Sequence, residues 1–458
     1  MTALLLFLSS ALAAPAPAID PMELDGFDAS GDTAEVSGPW FEQLGDPQLA
    51  QVVRDGIASS PQVGRSYATL KAARAGEMAS FAPLLPRASF DVTTTGQPID
   101  LVAFCAAGRP DFTQPPGGDW CFSGSARLNA SWQIDVFGRN TTSFLASRYD
   151  AEAADGDLAA QELSVGAAIA GAYLDHQAAR QQLLLLETQL QAQQDLLAIV
   201  ELRYEQAGST ALDVLQQRSA TAATEALLPP ARVSVQATAQ QLAVLVGADP
   251  NKPPSVAEAL PEPGPPPDPG TPEALIDRRP DTVAARKRWD AQKLRVTSST
   301  LALLPTLQAQ AGTGWNYAYS DSFDSLAGWS VGGTASVPLF NGGQTHAGIR
   351  SAKAQRDQAI HAWNQAVLTA VSDVRTAALR DRENRLRREA VEAQLEASRQ
   401  AYDESRERYL AGLDTFVTVL TAWNSLQQAE IGALQAHRDV LSARIALFTA
   451  LGGTGDTP

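Results

Sequence analysis

Few residues in this chain have types suited to covalent or metal chemistry, and their spacing limits what they can do. Cys105 and Cys121 flank a Gly/Pro-rich loop. In an oxidising compartment that spacing suits a local disulfide closing the loop; two free buried thiols are the alternative. His176, His346, His361 and His437 are scattered along predicted helices without ligand spacing, so surface or packing roles are expected and no metal site. Three methionines, Met1 included, argue against a methionine-lined copper or silver path. Gly332-Gly333 falls inside a strand pattern, and Gly342-Gly343 reads as a turn that lacks the βα unit of a phosphate loop. With no nucleophile–base pair in evidence, the expectation is a protein that is not an enzyme and carries no cofactor.

The informative polar residues are those set on one face of a strand. From Ser125 to Val136 the residues Ala126, Leu128, Ala130, Trp132, Ile134 and Val136 alternate with Ser125, Arg127, Asn129, Ser131, Gln133 and Asp135. Strict alternation is the signal of a strand with one apolar and one wet face. After Phe137-Gly138 it stops, and no proline appears until Pro229. Residues 139–207 read as one helix, on the order of 100 Å long at 1.5 Å per residue.

A net charge of −16 argues against nucleic acid as a partner, since that binding needs basic patches. Met1 to about Ala18 reads as a secretory signal, with Leu4-Leu5-Leu6-Phe7-Leu8 as its apolar core and small residues at Ala11–Ala13 or Ala16–Ala18 for cleavage. No other run has the roughly 18 apolar residues of a spanning helix, so a membrane would be crossed with strands.

In chain order the expectation is a signal peptide at 1–18, an extended arm at 19–46, a first repeat at 47–250, a Pro-rich semi-rigid linker at 251–272, a second repeat at 273–453 and a tail at 454–458. The first repeat holds strands at about 87–96 and 124–137, the long helix at 139–207 and a return helix at about 210–246. The second holds a helix at about 280–303, strands at about 306–320 and 326–340, a long helix at about 343–411 and a return helix at about 414–450. From Gly138 onward the register between halves is constant at 205 residues: Gly138 matches Gly343, Arg203-Tyr204 matches Arg408-Tyr409, and Val246-Gly247 matches Leu451-Gly452. A rod that must stay in step with its twin tolerates no net insertion.

Leu183, Leu186, Leu190, Leu197, Val200 and Tyr204 form a predicted coiled-coil seam with Gln193 as its polar interruption; Arg388, Val391, Leu395, Ser398, Tyr402, Ser405 and Tyr409 form the second. Four amphipathic strands cannot close in lipid, where an open edge leaves backbone groups unpaired at several kcal/mol each. Other copies must complete the barrel. Arg127, Asn129, Gln133, Gln308, Gln310 and Asn316 then line water, and Trp315, Tyr317, Tyr319 and Trp329 supply an aromatic girdle. Gly138 and Asn341-Gly342-Gly343 are the strand–helix junctions.

Taken together, Trp40-Phe41 with Asp46-Pro47-Gln48-Leu49, the run Trp132–Arg139, Leu242–Gly247 with Asp249-Pro250, Arg278-Arg279-Pro280-Asp281 and Phe340–Gly343 resemble the outer-membrane efflux proteins, the TolC-like channels, nearest their multidrug and NodT-type branch. The resemblance implies a mixed α/β membrane protein: a homotrimer whose transmembrane β-barrel, four strands per chain, continues into a long α-helical coiled-coil barrel across the periplasm. It implies docking to a periplasmic membrane-fusion adaptor and an inner-membrane pump of the resistance-nodulation-division (RND) type, or an ABC transporter. Many NodT-type members carry a lipidated cysteine; no cysteine precedes Cys105 here, which argues against an anchor.

The family closes its periplasmic tip at the helix turns, often with an acidic ring. Asp213 in Leu212-Asp213-Val214-Leu215 fits the first-repeat position, while Thr418 and Thr421 stand where some relatives carry aspartates. A polar constriction is expected there, with Asp414, Arg203 and Arg408 supplying charge. The function implied is the outer-membrane channel of a tripartite efflux system. The alternatives are the channel of a type I protein secretion system and, from another class, a soluble periplasmic coiled-coil scaffold.

Overall fold

The computed structural model describes residues 38–98, 120–319 and 323–453. The expected signal peptide, most of the N-terminal arm, Cys105 and the tail lie outside the described residues, and with Cys105 goes the expected bridge to Cys121. The helices are α1 (Pro47–Ser59), α2 (Pro61–Phe81), α3 (Arg139–Glu205), α4 (Ala211–Leu245), α5 (Pro272–Arg278), α6 (Pro280–Leu301), α7 (Gln344–Leu410) and α8 (Phe416–Ala450). The strands are β1 (Arg87–Pro98), β2 (Trp120–Ile134), β3 (Thr306–Tyr319) and β4 (Phe323–Ser336). Among the described residues no helix is long and apolar enough to cross a membrane.

The chain divides into two compact units. One, Lys71–Ala153 with Arg286–Ala362, carries the sheet. Its four strands are antiparallel in the order β1-β2-β3-β4. Rows of paired residues keep the alternation read from the sequence. Phe90, Leu128, Thr313 and Trp329 form one row, and Ala88, Ala130, Ala311 and Val331 the next. The opposite face holds the rows Ser89–Asn129–Gly312–Ser330 and Arg87–Ser131–Gln310–Gly332. Trp315 and Trp329 lie in neighbouring rows of the apolar face, both exposed; the side chains of Tyr317 and Tyr319 lie outside the described set. The fourth strand ends at Ser336, short of the expected 340, because Pro338 has no amide to donate to a ladder.

The sheet leaves for helix through defined turns. At Gly138 φ is +75°, a left-handed conformation that glycine adopts without strain. Asp135 then caps α3: Oδ1 accepts from the Asn140 amide at 3.0 Å and Oδ2 from the Thr141 amide and hydroxyl, each at 2.7 Å. At the second junction Gly342 and Gly343 both have positive φ, and the Asn341 amide donates to Thr345 Oγ1 at 2.6 Å.

The other unit comprises residues up to Leu70, Ala154–Ala285 and the chain from Trp363 onward. The long helices α3 and α7 each have 67 residues, and the return helices α4 and α8 each have 35. Its core packs Trp40, Leu49 and Val53 against Ile169, Tyr173 and Leu174 of α3, Leu242 of α4, and Leu441 and Phe448 of α8. Asp46 caps α1 through the Gln48 and Leu49 amides and also receives the Tyr173 hydroxyl at 3.0 Å. Gly247 ends α4 at φ +72°, and a Cβ there would lie 2.8 Å from the Ser59 carbonyl oxygen, so the position admits glycine alone.

Several of the motif residues turn out to be clamps on helix ends. Arg278 Nε donates to the Leu451 carbonyl at 2.9 Å and Arg279 Nη1 to the Ala450 carbonyl at 3.1 Å. Two cations thus sit on the C-terminal end of α8, where the helix dipole favours positive charge. Arg279 is itself held by both Asp281 oxygens, at 3.0 and 2.7 Å.

The Pro-rich linker is strapped to the helices by side chains. Gln177 Nε2 reaches the Ala257 and Ala259 carbonyls, and the Ala257 amide donates to the Tyr173 hydroxyl at 2.9 Å. Arg388 grips Glu262 at 2.9 and 3.2 Å. Arg444, 2% exposed, donates to Asp381 Oδ1 at 2.8 Å and to the Gly264 and Pro265 carbonyls.

One seam differs in part from expectation. Between residues 183 and 204 of α3, Leu186 and Val200 are buried and Leu183, Leu190 and Leu197 half-buried, as expected, but Gln189, Gln193 and Leu196 are buried with them and Tyr204 is 49% exposed. Gln193 is not an interruption. Gln217 of α4 donates to its carbonyl at 2.9 Å and to its side chain, and Gln189 donates to Glu430 of α8 at 2.8 Å. Buried amides joined in this way satisfy each other's donors. In α7 the predicted positions from Arg388 to Tyr409 are buried or half-buried, as expected.

Candidate functional site

Two regions bring polar side chains together: the turns that end α3 and α7, and the polar face of the sheet.

Both turns close alike. The amide of Gly208 donates to the Arg203 carbonyl at 2.7 Å, and that of Leu413 to the Arg408 carbonyl at 2.9 Å. The left-handed residue is Gly412 in the second turn but Ala207, at φ +55°, in the first. Each turn then starts its return helix with an aspartate used differently. Asp213 completes a capping box: its Oδ2 accepts from the Thr210 amide at 2.8 Å while Thr210 Oγ1 accepts from the Asp213 amide at 3.2 Å. In the second turn the acid stands before the cap. Asp414 Oδ1 accepts from the Thr415 amide and the Thr418 hydroxyl, each at 2.8 Å, and Oδ2 faces Arg408 Nε at 3.5 Å. Either arrangement puts negative charge at a helix N-terminus, where the dipole favours it.

Arg203 joins the turns. Its Nη1 donates to the Tyr409 carbonyl at 2.6 Å, and its guanidinium lies 4.6 Å from the centre of the Tyr409 ring. Tyr409 is 5% exposed and packs edge-on to Phe416 at 5.6 Å, within a cluster that includes Leu196, Val200, Val214 and Val419. Burial pushes the Tyr409 phenol up; Arg203 opposes this and the charge of Asp213 adds to it. Of the six residues expected at a constriction, Arg408, Asp414 and Thr418 form one hydrogen-bonded group, and Arg203 and Asp213 flank Tyr409. Thr421 stands apart, with its hydroxyl returned to the Val417 carbonyl at 2.8 Å. Sequence reading placed Tyr409 in a seam but missed it as the post that Arg203 grips; the exposure of its counterpart Tyr204 follows from partners the sequence does not display.

The Asp414 group sets a pH dependence. The Thr418 hydroxyl, then the Thr415 amide and the Arg408 guanidinium, hold its carboxyl below the ordinary value of 3.8. A depressed pKa contributes stability above the unfolded value, lost as pH falls through the folded one. The turn should therefore hold unchanged from pH 8 to pH 5 and loosen only below about pH 4. Amide hydrogen exchange at Thr415 and Thr418 across that range checks this; loosening already at pH 6 would contradict it.

On the sheet, the polar face carries Arg87, Asp91 and Arg127 together with amides and hydroxyls. Asn129 Nδ2 and the Ser89 hydroxyl both donate to Asp91 Oδ2 at 2.9 Å, and Gln310 Nε2 donates to Thr334 Oγ1 at 3.0 Å. Among the described residues no cluster of histidine, cysteine or carboxylate side chains could hold a metal ion.

An antiparallel sheet with one apolar and one polar face, joined to long paired helices, defines the class of outer-membrane efflux channels. The chain belongs to the outer membrane efflux protein family: the family's sequence profile matches residues 52–248 and 271–453. It is a protein of the outer membrane, and family members are channels rather than enzymes. The chain is 29% identical over 417 residues to the pyoverdine export outer membrane protein OpmQ of Pseudomonas putida, covering 90% of this chain and 87% of OpmQ. It is 26% identical to nodulation protein T of Rhizobium leguminosarum bv. viciae, over 98% of this chain and 92% of that one. Among solved structures, the outer-membrane channel OprN is similar at 26% identity with a TM-score of 0.81, covering 92% of this chain and 94% of OprN.

Proposed function

We propose that three copies of this chain form a passive, gated conduit for small molecules, closed at the α3 and α7 turns and working with a periplasmic adaptor and an inner-membrane pump of the RND type. The observation that carries the reading is the sheet. Its order leaves β1 and β4 as edges, one face is apolar and the other polar, and an open edge in hydrocarbon costs several kcal/mol per unpaired group. Neighbouring copies supply the missing partners, giving twelve strands around water and a helical tunnel from the four long helices of each chain. Exposed Leu227, Val233 and Val244 on α4, and Leu368, Leu379 and Leu386 on α7, are apolar surface that helices of adjacent copies would cover. The name of OpmQ, a pyoverdine exporter, favours small organic cargo over a secreted protein.

In this reading Asp213 and the Asp414–Thr418 group form the polar constriction, and opening separates the bracket that Arg203 makes with Tyr409. Purified protein should run as a trimer in detergent and conduct in planar bilayers. Asp213→Asn should change resting leak or cation preference by about twofold or more, because it removes three like charges from one ring. An unchanged channel would remove Asp213 from the gate; a monomeric, non-conducting protein would end the conduit reading itself.

A further inference from the structure

We propose that Arg127 is a contact station for oxyanion groups (carboxylate, sulfonate or phosphate) on solutes passing the strand barrel. The inference rests on reading the polar face of the sheet as the lumen wall.

One row of that face reads Asp91, Arg127, Gly314 and Gly328 across the four strands. The row's long cation thus faces two positions with no side chain. Gly314 is not there for its backbone, since its φ is not in the left-handed region. The reason is volume. A Cβ at Gly314 would lie 2.6 Å from the Ala126 carbonyl oxygen and 2.8 Å from Arg127 Cγ. The stem of Arg127 occupies the space that any other residue at 314 would need. Beyond it, a Cβ at Gly328 would meet nothing within 4 Å. The side chain lies over β3, where Nη2 donates to Asn316 Oδ1 at 3.0 Å.

That contact orients the guanidinium without neutralising it, because the acceptor is an uncharged amide. The carboxylate of the same row, Asp91, accepts from Ser89 and Asn129 on its own side. The glycine floor beside the side chain leaves room for a solute to approach the guanidinium. A planar fork with fixed orientation suits the two oxygens of a carboxylate, sulfonate or phosphate. The same face carries Arg87 and Asp91 and, by its register opposite Ala318, Asp324, so three copies make a collar of mixed charge in which Arg127 is a cation held on an uncharged acceptor.

The test is single-channel block of the reconstituted full-length protein by tripolyphosphate, added to each side of the bilayer in turn. Wild type should be blocked from at least one side. Arg127→Gln should raise the blocking constant about tenfold, as expected for loss of a charge-assisted pair. Arg127→Lys, which keeps the charge but not the planar fork, should fall between wild type and Arg127→Gln, and Asp91→Asn should tighten block by removing a nearby negative charge that repels the anion. Equal block of wild type and Arg127→Gln, or a conducting wild type that tripolyphosphate does not block, would overturn this inference while leaving the conduit intact. A wild type that does not conduct at all would overturn both.

Discussion

Replacing Arg444 with alanine is expected to destabilise the helical unit by about 3 kcal/mol, the low end for breaking a buried ion pair. Arg444 and Asp381 are 2% and 1% exposed. The guanidinium satisfies both Asp381 oxygens, at 2.8 and 3.4 Å, and the carbonyls of Gly264 and Pro265. Removing it leaves a buried carboxylate and two linker carbonyls short of donors. Arg385 Nε, 3.2 Å from Asp381, retains part of the compensation, hence the low end of the range. The guanidinium chloride midpoint should fall, and the linker near Gly264 should become cleavable by protease before the helices unfold. The double change Arg444→Met with Asp381→Asn should recover much of the loss, since removing both charges removes the desolvation cost as well. A single variant as stable as wild type would mean that this pair holds nothing.

The second large effect is expected at the turns. Arg203→Ala removes a charge-assisted hydrogen bond to the Tyr409 carbonyl and a guanidinium stacked 4.6 Å from the Tyr409 ring. Together these are worth about 2 kcal/mol in a half-buried site. If the bracket belongs to the closed state alone, its loss should shift the closed-to-open balance roughly thirtyfold. In bilayers this appears as a higher resting open probability, with unitary conductance unchanged. Arg203→Lys keeps the charge but not the planar stack and should fall between. An unaltered open probability in Arg203→Ala would show that the closed state does not depend on the bracket.

Within a single chain the bracket is present on one side only, and the two turns differ in their neighbours. Tyr204 and Tyr409 are 205 residues apart in sequence and occupy equivalent helix positions, yet one is 49% exposed and the other 5%. The difference lies in the neighbours. Tyr409 meets Phe416, while the residue following the cap at the corresponding place after Tyr204 is Ala211, too small to hold a ring.

Local periodicity determined much of this protein. Alternation alone assigned Ala126, Leu128 and Ala130 to one strand face and Arg127, Asn129 and Ser131 to the other, because successive side chains of a strand point oppositely whatever surrounds them. Glycine and proline placed the junctions at Gly138 and Gly342-Gly343, and the constant offset of 205 set equal helix lengths. Tertiary structure decided what local pattern leaves open. In a run as rich in leucine and glutamine as 183–200, a helical stripe can be drawn one residue either way, and only the arrival of Gln217 and Glu430 fixes Gln189, Gln193 and Leu196 as the inward set. Arg203 reaches Tyr409, Arg444 reaches Gly264 and Pro265, and Arg127 fills the space left by Gly314. Each of these contacts joins positions more than 100 residues apart, so it exists only after folding has brought them within a few ångströms.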